Sequence, residues 1–567
     1  MYLCKTHFII ITNIYDMSTP TKHIFSYINE SIRSNWERPG FSDYGEKTNY
    51  TYGEIATQIA RLNLFFELAG VEKGGKIAFC GGNSSNWGVS FLSVLAYGAV
   101  AVSILPDFTG PDVEKLVNHS ESQILIAGPV VANKIKFENM PGIKAVISMK
   151  DFSILYAQTD NYQKAFDNLD AAFAERYPDG YKPEYVHYQD DNLDDLALIN
   201  YTSGTTSAPK GVMLTYRSLS TNCTFGQEWI PNSPNDNIVS MLPLAHMFGM
   251  MFEFIYQVAG GTHVFFITRL TTPILMKAFQ DCSPYLILTV PLVLEKIYQK
   301  KIKPMVNKPL IKFLWHVPGV NKIIKNKVRD GLMAAFGGKL KSLIIGGAAL
   351  NGEVETCLKE IGFPFLVGYG MTECGPLIAY VPWQEFAPHS CGRIVDRMEI
   401  KIDSSDPLHE VGEILVKGEA CMIGYYKNPE ATKAVLMEDG WLRTGDLGLL
   451  DEKGNIYIKG RNKNMILGPS GQNIYPEEIE DLVNSIDEVI ESLIVDRNHK
   501  LVALVYPDYE LLKTPEYADK DIKQLITSAI KNINKHLPQY SQISDVEIRD
   551  QEFEKTPKRS IKRFMYK

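Results

Sequence analysis

A hydroxyl-rich loop with a single lysine is the part of this sequence best suited to chemistry. Residues 201–211 read Tyr-Thr-Ser-Gly-Thr-Thr-Ser-Ala-Pro-Lys-Gly, between apolar runs at 196–199 and 211–214 that are typical of strands. Backbone N–H groups freed by glycine, hydroxyl groups and one ammonium can together bind several phosphate oxygens. The loop therefore predicts a polyphosphate site held between two strands.

This loop differs from the common P-loop, in which glycine directly precedes the lysine and Ser or Thr follows it. Here Pro209 precedes Lys210 and Gly211 follows it. The alternative, a flexible Ser/Thr/Gly linker, would seldom lie between two apolar strands and carry a Pro-Lys-Gly turn. The candidate phosphate ligands are Thr202, Ser203, Gly204, Thr205, Thr206 and Lys210.

Five further motifs follow this loop in order along the chain. They are Pro-Leu-Ala-His-Met-Phe-Gly at 243–249, Gly-Gly-Ala-Ala at 346–349, Gly-Tyr-Gly-Met-Thr-Glu at 368–373, Gly-Trp-Leu-Arg-Thr-Gly-Asp at 440–446 and Gly-Arg-Asn-Lys at 460–463. Together with the loop they resemble the adenylate-forming superfamily, which includes acyl-CoA synthetases, luciferases and peptide-synthetase adenylation domains. The resemblance runs from about residue 25 to the last residue, and the motif at 243–249 is most like that of long-chain fatty acid–CoA ligases.

The elements that must position these motifs are those of an α/β protein. The 567 residues exceed one ordinary hydrophobic core, so two or more domains are expected. Apolar helices alternate with short β-rich runs, as at 76–79, 123–126 and 145–147. Beyond a turn at 451–454 the pattern changes to two short strands and a compact α+β tail, in which Pro476 predicts a helix start.

The resemblance implies a large N-terminal domain of several subdomains and a small, mobile α+β C-terminal domain. We expect an N-terminal extension over 1–24, the AMP-binding domain over 25–459, a hinge at 460–463 with Lys463 as its pivot, and the C-terminal domain over 464–567. Translation starting at Met17 instead of Met1 is an open alternative.

Charge and cysteine content favour a cytoplasmic protein with small-molecule substrates. The formal net charge is −8 and we find no basic stripe, which argues against nucleic acid as a partner. The eight cysteines are scattered without a C-x-x-C pair, which indicates reduced thiols and no zinc site. The uncharged stretch 87–105 is interpreted as a buried helix, turn and strand, and the apolar run 8–11 is too short for a signal peptide.

The resemblance implies a reaction in two halves, with ATP, Mg²⁺ and CoA as cofactors. A carboxylate attacks the α-phosphate of ATP and releases pyrophosphate, and a thiol then displaces AMP from the mixed anhydride. Two anions meet in the first half, so positive charge and oriented donors are needed at the phosphates. Thr372 joins the phosphate ligands, and Glu373 is expected to hold Mg²⁺.

The remaining nucleotide contacts fall in the glycine motifs and near the predicted hinge. Tyr369 offers a flat face for adenine, unless it is simply a core tyrosine. Asp446 is expected to accept hydrogen bonds from the ribose hydroxyls and Arg461 to reach the same ribose, although Gly445 and Asp446 could form only a turn. The other expected contacts are Gly346, Gly347, Ala348, Gly368, Gly370 and Met371.

For the acyl group, residues 246–258 predict a nearly uncharged helix rich in Met and Phe. His246, Met250 and Met251 are the candidate acyl contacts, against the alternative that the stripe is ordinary core. Burying an acyl tail contributes about 0.8 kcal/mol per CH₂, so the depth of the site would set chain-length preference.

One departure from the family concerns its Gly-Lys-Ile-x-Arg string, whose lysine assists adenylation. The equivalent residues 559–563 read Arg-Ser-Ile-Lys-Arg, so Ser560 stands where that lysine is expected. Lys558 and Lys562 flank it, and either could supply the charge.

The sequence therefore predicts an ATP-dependent ligase that converts a fatty acid, in particular a long-chain one, into its CoA thioester. A fatty acyl-AMP ligase or acyl-carrier-protein synthetase is one alternative, with an acyl carrier protein as partner. A non-catalytic acyl or nucleotide sensor is another, made conceivable by Ser560. Peripheral contact with a membrane also stays open.

Overall fold

The computed structural model describes residues 20–202, 209–467, 472–498, 500–517, 520–556 and 561–566, without the side chains of 300, 301 and 516, together with the backbone of residues 11 and 12. It has the predicted mixed α/β architecture, with a large N-terminal domain and a smaller C-terminal one. The predicted residues that lie outside the described ranges are Ser203, Gly204, Thr205, Thr206, Lys558, Ser560 and Met17.

An eight-stranded sheet carries the phosphate loop near one edge. Its five central strands are parallel, and Val100–Ile104 is buried at every position, as expected for a strand covered on both faces. In spatial order the strands are Gly424–Tyr425, Lys210–Thr215, Leu196–Thr202, Val100–Ile104, Lys76–Cys80, Ile124–Ala127, Ala145–Ser148 and Ile154–Ala157.

A seven-stranded sheet carries the first glycine motif. Six of its strands are parallel, and an antiparallel strand closes one edge. In spatial order the strands are Phe365–Val367, Ser342–Ile345, Leu286–Thr289, Asn237–Ser240, His263–Phe266, Pro39–Asp43 and Asn49–Thr51.

Two helices lie between these sheets. They are Ser85–Tyr97 and the continuous helical stretch Met247–Ala259. The Trp87 ring of the first helix lies 5.2 Å from Phe79 of the first sheet and 5.8 Å from Phe254 of the second helix. Phe254 in turn lies 5.7 Å from Phe41 of the second sheet. The stretch 87–105 is thus a buried helix, turn and strand, as predicted. Within the described ranges, no helix combines the length and apolar character that a membrane span requires.

The N-terminal domain and the C-terminal domain contain thirteen other described α-helices of seven or more residues. They are Ile24–Ser34, Tyr52–Leu68, Gly110–Ser120, Asp160–Asp167, Leu169–Arg176, Tyr216–Trp229, Thr272–Cys282, Pro291–Ile297, Val320–Ala335, Gly352–Glu360, Pro429–Val435, Pro476–Asn484 and Ile522–Asn534.

Two smaller sheets precede the C-terminal domain. The five-stranded sheet consists of Ile11–Thr12, Met398–Asp403, Gly412–Gly418, Leu442–Leu450 and Ile456–Arg461, and the three-stranded sheet of Tyr369–Gly370, Leu377–Tyr380 and Arg393–Ile394. The predicted turn at 451–454 joins the last two strands of the larger sheet, where the Asp451 carboxylate accepts from the backbone N–H of Lys453 and Asn455.

The C-terminal domain has a hydrophobic core of its own. Its strands are Ile466–Leu467, Asn473–Ile474, Val489–Arg497, Lys500–Pro507 and Ile543–Ile548. Ile479, Val505 and Ile526 are almost completely buried between the three-stranded sheet and the two helices that cover it. The helix Pro476–Asn484 begins at the predicted proline, with two glutamates in its first turn facing the positive end of the helix dipole.

Candidate active site

The two strands that flank the predicted phosphate loop are paired as neighbours in the first sheet. Thr202 and Lys210 are directly paired across the antiparallel strands Leu196–Thr202 and Lys210–Thr215, so both predicted apolar runs are strands. A Cβ atom on Gly211 would lie 2.9 Å from Ile199, which explains why glycine follows the lysine. The pair lies at the carboxyl end of a parallel strand, where ligands bind in sheets of this kind.

Tyr425 brings Lys210 and Glu373 to one place. The Lys210 ammonium lies 4.8 Å from the centre of the Tyr425 ring, and the Tyr425 hydroxyl donates to Glu373 Oε1 over 2.8 Å. Burial and the neighbouring Glu373 carboxylate raise the pKa of Tyr425, so this hydroxyl remains a donor at neutral pH. An ammonium suited to phosphate and a carboxylate suited to Mg²⁺ therefore share one aromatic support.

A second group of predicted residues meets at Asp446. Its Oδ2 accepts from the Tyr369 hydroxyl over 2.7 Å, and its Oδ1 lies 3.0 Å from Arg461 Nε. Asp446 and Arg461 are paired across the strands Leu442–Leu450 and Ile456–Arg461. The alternative that Asp446 belongs only to a turn is therefore wrong. A buried carboxylate with these two donors still has lone pairs for further hydroxyls.

The Tyr369 side chain is almost completely buried, as the core alternative for this residue anticipated. Burial and the Asp446 carboxylate raise its pKa, which keeps its hydroxyl protonated. Its role at adenine stays a prediction.

The glycine motifs meet at the ends of two parallel strands. Gly346 follows Ser342–Ile345, and the Gly368 N–H donates to the Ile345 carbonyl over 2.8 Å. A Cβ atom on Gly346 would lie 3.0 Å from the Phe248 ring, and one on Gly370 would lie 2.3 Å from the Pro376 carbonyl oxygen. The absence of side chains at these glycines thus has a steric reason.

Other residues of the motifs 346–349 and 368–373 are exposed to solvent or half-buried. Gly347, at φ 88°, and Ala348 are exposed, while Met371 and Thr372 are half-buried. The Thr372 hydroxyl makes no hydrogen bond within the described ranges, so it is free to donate to a ligand.

The predicted acyl helix is continuous from Met247 to Ala259, with i→i+5 hydrogen bonding over Met250–Ile255. Met250 and Met251 are fully buried in the main core, as the core alternative anticipated, and His246 is half-buried before the first turn. The Phe248 side chain of this helix packs next to Gly346, so the helix contacts the first glycine motif.

Sequence reasoning missed a carboxyl group in this helix. Glu253 is fully buried, and its Oε2 accepts from the Leu242 N–H at 3.0 Å and the Ser240 hydroxyl at 3.2 Å. Its Oε1 has no hydrogen-bond partner among the described residues. Burial raises the pKa of Glu253 well above its usual range, so the folded protein favours the protonated carboxyl group more than the unfolded chain does.

We predict that Glu253→Gln removes a pH dependence of stability. Because the pKa of Glu253 is higher in the folded protein than in the unfolded chain, folding favours proton binding at this carboxyl group. The resulting stabilisation of the folded state is fully present only below the unfolded pKa of about 4.3. Above that pH the free energy of unfolding should fall by about 1.4 kcal/mol per pH unit until the folded-state pKa is reached. Melting temperatures of both proteins, measured from about pH 5 to about pH 7, check this. A constant difference between them would mean that Glu253 ionises normally.

The two lysines predicted near the C-terminal domain have different surroundings. Partial burial and the neighbouring Arg461 guanidinium lower the pKa of Lys463, against the opposing effect of Asp446. Lys562 instead lies 4.0 Å from Glu554, and within the described ranges it makes no hydrogen bond or ion pair with Thr372, Glu373 or Asp446.

The structure thus joins Lys210 to Glu373 through Tyr425, and Asp446 to Tyr369 and Arg461. Lys562 forms a hydrogen bond or ion pair with neither group among the described residues. Tyr425 was missed because a Gly-Tyr-Tyr string has many structural uses, and its contact with Glu373 spans 52 residues. Among the described residues no cluster of three or more His, Cys, Asp or Glu side chains could hold a metal. A single carboxylate at Glu373 still fits Mg²⁺, which keeps several waters and binds one or two carboxylates together with substrate phosphates.

The sequence signature of the AMP-binding enzyme matches residues 29–426, and that of the AMP-binding enzyme C-terminal domain matches residues 463–566. The long-chain-fatty-acid–CoA ligase of Bacillus subtilis is 28% identical over 503 residues, which are 85% of this chain and 84% of that protein. The 4-coumarate–CoA ligase 1 of Narcissus pseudonarcissus is 26% identical over 491 residues, 83% and 81% of the two chains.

Among solved structures, the anthranilate CoA ligase AuaEII in complex with anthranoyl-AMP superposes with a TM-score of 0.78. The match covers 97% of each chain at 18% sequence identity, which establishes a shared fold.

Proposed function

Because the chain belongs to the AMP-binding enzyme family, we propose that it activates a long-chain fatty acid as acyl-AMP and transfers the acyl group to CoA. The coarser assignment, an AMP-forming acid–CoA ligase that uses ATP, Mg²⁺ and CoA, follows from family membership and from the ligases among its relatives. The choice of acid is the proposal.

Support for a long-chain acid comes from the Bacillus subtilis relative and from the apolar helix Met247–Ala259. Phe248 of this helix lies against Gly346, so the helix adjoins the motif that we assign to the nucleotide. An acyl chain bound along the helix would gain about 0.8 kcal/mol per buried CH₂. The Narcissus relative, a coumarate ligase, supports the rival that the acid is aromatic.

The observation that carries the proposed activation step is the arrangement of charges at Tyr425 and Asp446. Lys210, held over Tyr425, would neutralise phosphate charge as the substrate carboxylate approaches, and the free Thr372 hydroxyl would donate to the same phosphates. Glu373 would hold Mg²⁺, which supplies positive charge at the phosphate oxygens. Asp446 would fix the ribose and with it the α-phosphate.

For the second half-reaction we propose that the C-terminal domain, residues 464–567, turns about 460–463 to admit the thiol. Lys562 is our candidate for the ammonium that the family places at the position of Ser560. In the described arrangement its charged neighbour is Glu554, whose carboxylate lies 4.0 Å from the Lys562 ammonium.

We expect ATP–pyrophosphate exchange to depend on a long-chain fatty acid. The purified protein with Mg-ATP is assayed against acetate, 4-coumarate, octanoate and palmitate, with Glu373→Gln as the control for site-dependent exchange. The largest specificity constant is expected with palmitate. Turnover only with acetate or 4-coumarate would refute the proposed acid.

The same assay separates the alternatives. Exchange with fatty acid, but thioester formation only on a phosphopantetheinylated acyl carrier protein and not on CoA, would indicate an acyl-carrier-protein synthetase. Exchange with none of the acids would favour a non-catalytic sensor.

A further inference from the structure

The segment between the strands Leu286–Thr289 and Ser342–Ile345 has an unusual charge. Residues 296–329, here called the basic insert, contain ten Lys and Arg residues and no Asp or Glu, in a chain whose formal net charge is −8. The expectation that the chain carries no basic stripe is therefore wrong for this segment. The overall negative charge does not reveal the segment, because the rest of the chain is acidic.

The basic insert also exposes large apolar side chains. Leu310, Phe313 and Ile323 are 67%, 69% and 68% exposed. Leu310 and Phe313 are three residues apart on the helix Pro309–Leu314, so they share a face, and this helix packs against Val320–Ala335, which carries Ile323. Single exposed apolar residues are ordinary. Here, however, five of the eighteen exposed large apolar side chains of the described residues fall within residues 305–323.

Five lysines of the basic insert fall into two groups. Lys303 lies between Glu353 and Asp487, and Lys325 lies 3.0 Å from Glu360, so these cations are neutralised by the protein. Lys308, Lys312 and Lys322 are exposed and form no ion pair within the described ranges. They flank Leu310, Phe313 and Ile323 in sequence, which places unpaired cations next to exposed apolar side chains.

We propose that the basic insert docks on an anionic lipid surface. Lysines attracted to lipid headgroups together with apolar side chains that enter the acyl boundary are the two features that hold a peripheral helix at a bilayer. Nucleic acid would satisfy the lysines but would leave Leu310, Phe313 and Ile323 in water, so a membrane fits the surface better. This inference does not depend on the proposed acid, because docking requires no substrate.

Sedimentation with vesicles tests the inference on the full chain without ATP or acid. Binding is expected to vesicles of phosphatidylcholine with about one third phosphatidylserine, to be much weaker to pure phosphatidylcholine, and to fall as salt rises. Reversing the charge of Lys308, Lys312 and Lys322 to Glu should weaken binding on the order of a hundredfold, since each lysine near an anionic surface contributes a factor of about five. Leu310→Asn with Phe313→Asn should weaken it by a similar order, because two apolar side chains no longer enter the bilayer.

Matched controls lie on other surfaces. Lys433, Lys523 and Lys531 are exposed, so their reversal to Glu changes the net charge equally, and Val130→Asn replaces a side chain that is 71% exposed. These controls should bind vesicles like the parent protein, and the melting temperatures of all variants should stay close to that of the parent.

Equal binding of the parent protein to neutral and anionic vesicles, no binding to either, or equal losses in test and control variants would overturn the proposal. A further contradicting result would be that the parent protein binds duplex DNA and not vesicles, and that the Leu310→Asn, Phe313→Asn variant still binds the DNA. Loss of vesicle binding with unchanged turnover would leave the proposed enzymatic function untouched.

Discussion

Glu373→Gln is expected to lower acid-dependent pyrophosphate release at limiting Mg²⁺ by about 100-fold or more. A neutral amide keeps the size of the side chain, and its oxygen can still accept the Tyr425 hydroxyl that now lies 2.8 Å from Glu373 Oε1. The local structure should therefore persist. What is lost is the negative charge that a hard cation requires, so the Mg²⁺ concentration for half-maximal rate should rise.

The measurement is pyrophosphate release against Mg²⁺ concentration for the parent protein and three variants. Tyr425→Phe removes the hydroxyl that orients Glu373 but keeps the ring beneath Lys210, and it should raise the Mg²⁺ requirement by about tenfold. Glu452→Gln, at an exposed glutamate, should have no effect. An unchanged Mg²⁺ dependence in Glu373→Gln would remove Glu373 from the metal site.

Features specified by neighbouring residues could be predicted from the sequence. The strands around the phosphate loop follow from two apolar runs, and the helix Pro476–Asn484 begins at the predicted proline because its fixed φ and missing N–H suit the first helical position. The buried helix and strand over 87–105 follow from an uncharged run that small polar residues interrupt. In each case the pattern and the element occupy the same short stretch.

Contacts between distant residues could not be predicted in this way. The Tyr369 hydroxyl meets an aspartate 77 residues away, and Tyr425 meets Glu373 across 52 residues. Motifs identify Asp446 and Glu373 as candidates but not the tyrosines that orient them. The basic insert was visible in the sequence, yet only the exposure of its apolar side chains distinguishes a docking surface from an ordinary solvated one.

The order of contacts along the chain supports a pivot at Lys463, within the proposed hinge 460–463. Arg461 is the last residue paired with the five-stranded sheet, opposite Asp446. The Asn464 side-chain amide already donates to Glu477 over 2.6 Å, and Glu477 belongs to the helix Pro476–Asn484 of the C-terminal domain. Between these two anchors lie only Asn462 and Lys463, in the short turn Asn462–Asn464. A rotation of the C-terminal domain would also have to break the ion pair between Lys303 and Asp487, which joins the two domains in this arrangement.

Lys463→Pro is therefore expected to leave acyl-AMP formation within about threefold of the parent rate and to slow thioester formation about 100-fold, since small displacements of reacting groups cost that much. Proline fixes φ in the range that a 3₁₀ turn uses, so a rotation that changes φ at this residue is opposed. Lys463→Ala is the matched control, because it removes the ammonium beside Arg461 but leaves the backbone free.

Single-turnover assays, one from ATP and fatty acid and one from supplied acyl-AMP and CoA, separate the two steps. If proline and alanine slow thioester formation equally, Lys463 acts through its charge. If proline slows both steps alike, the pivot lies elsewhere in the chain.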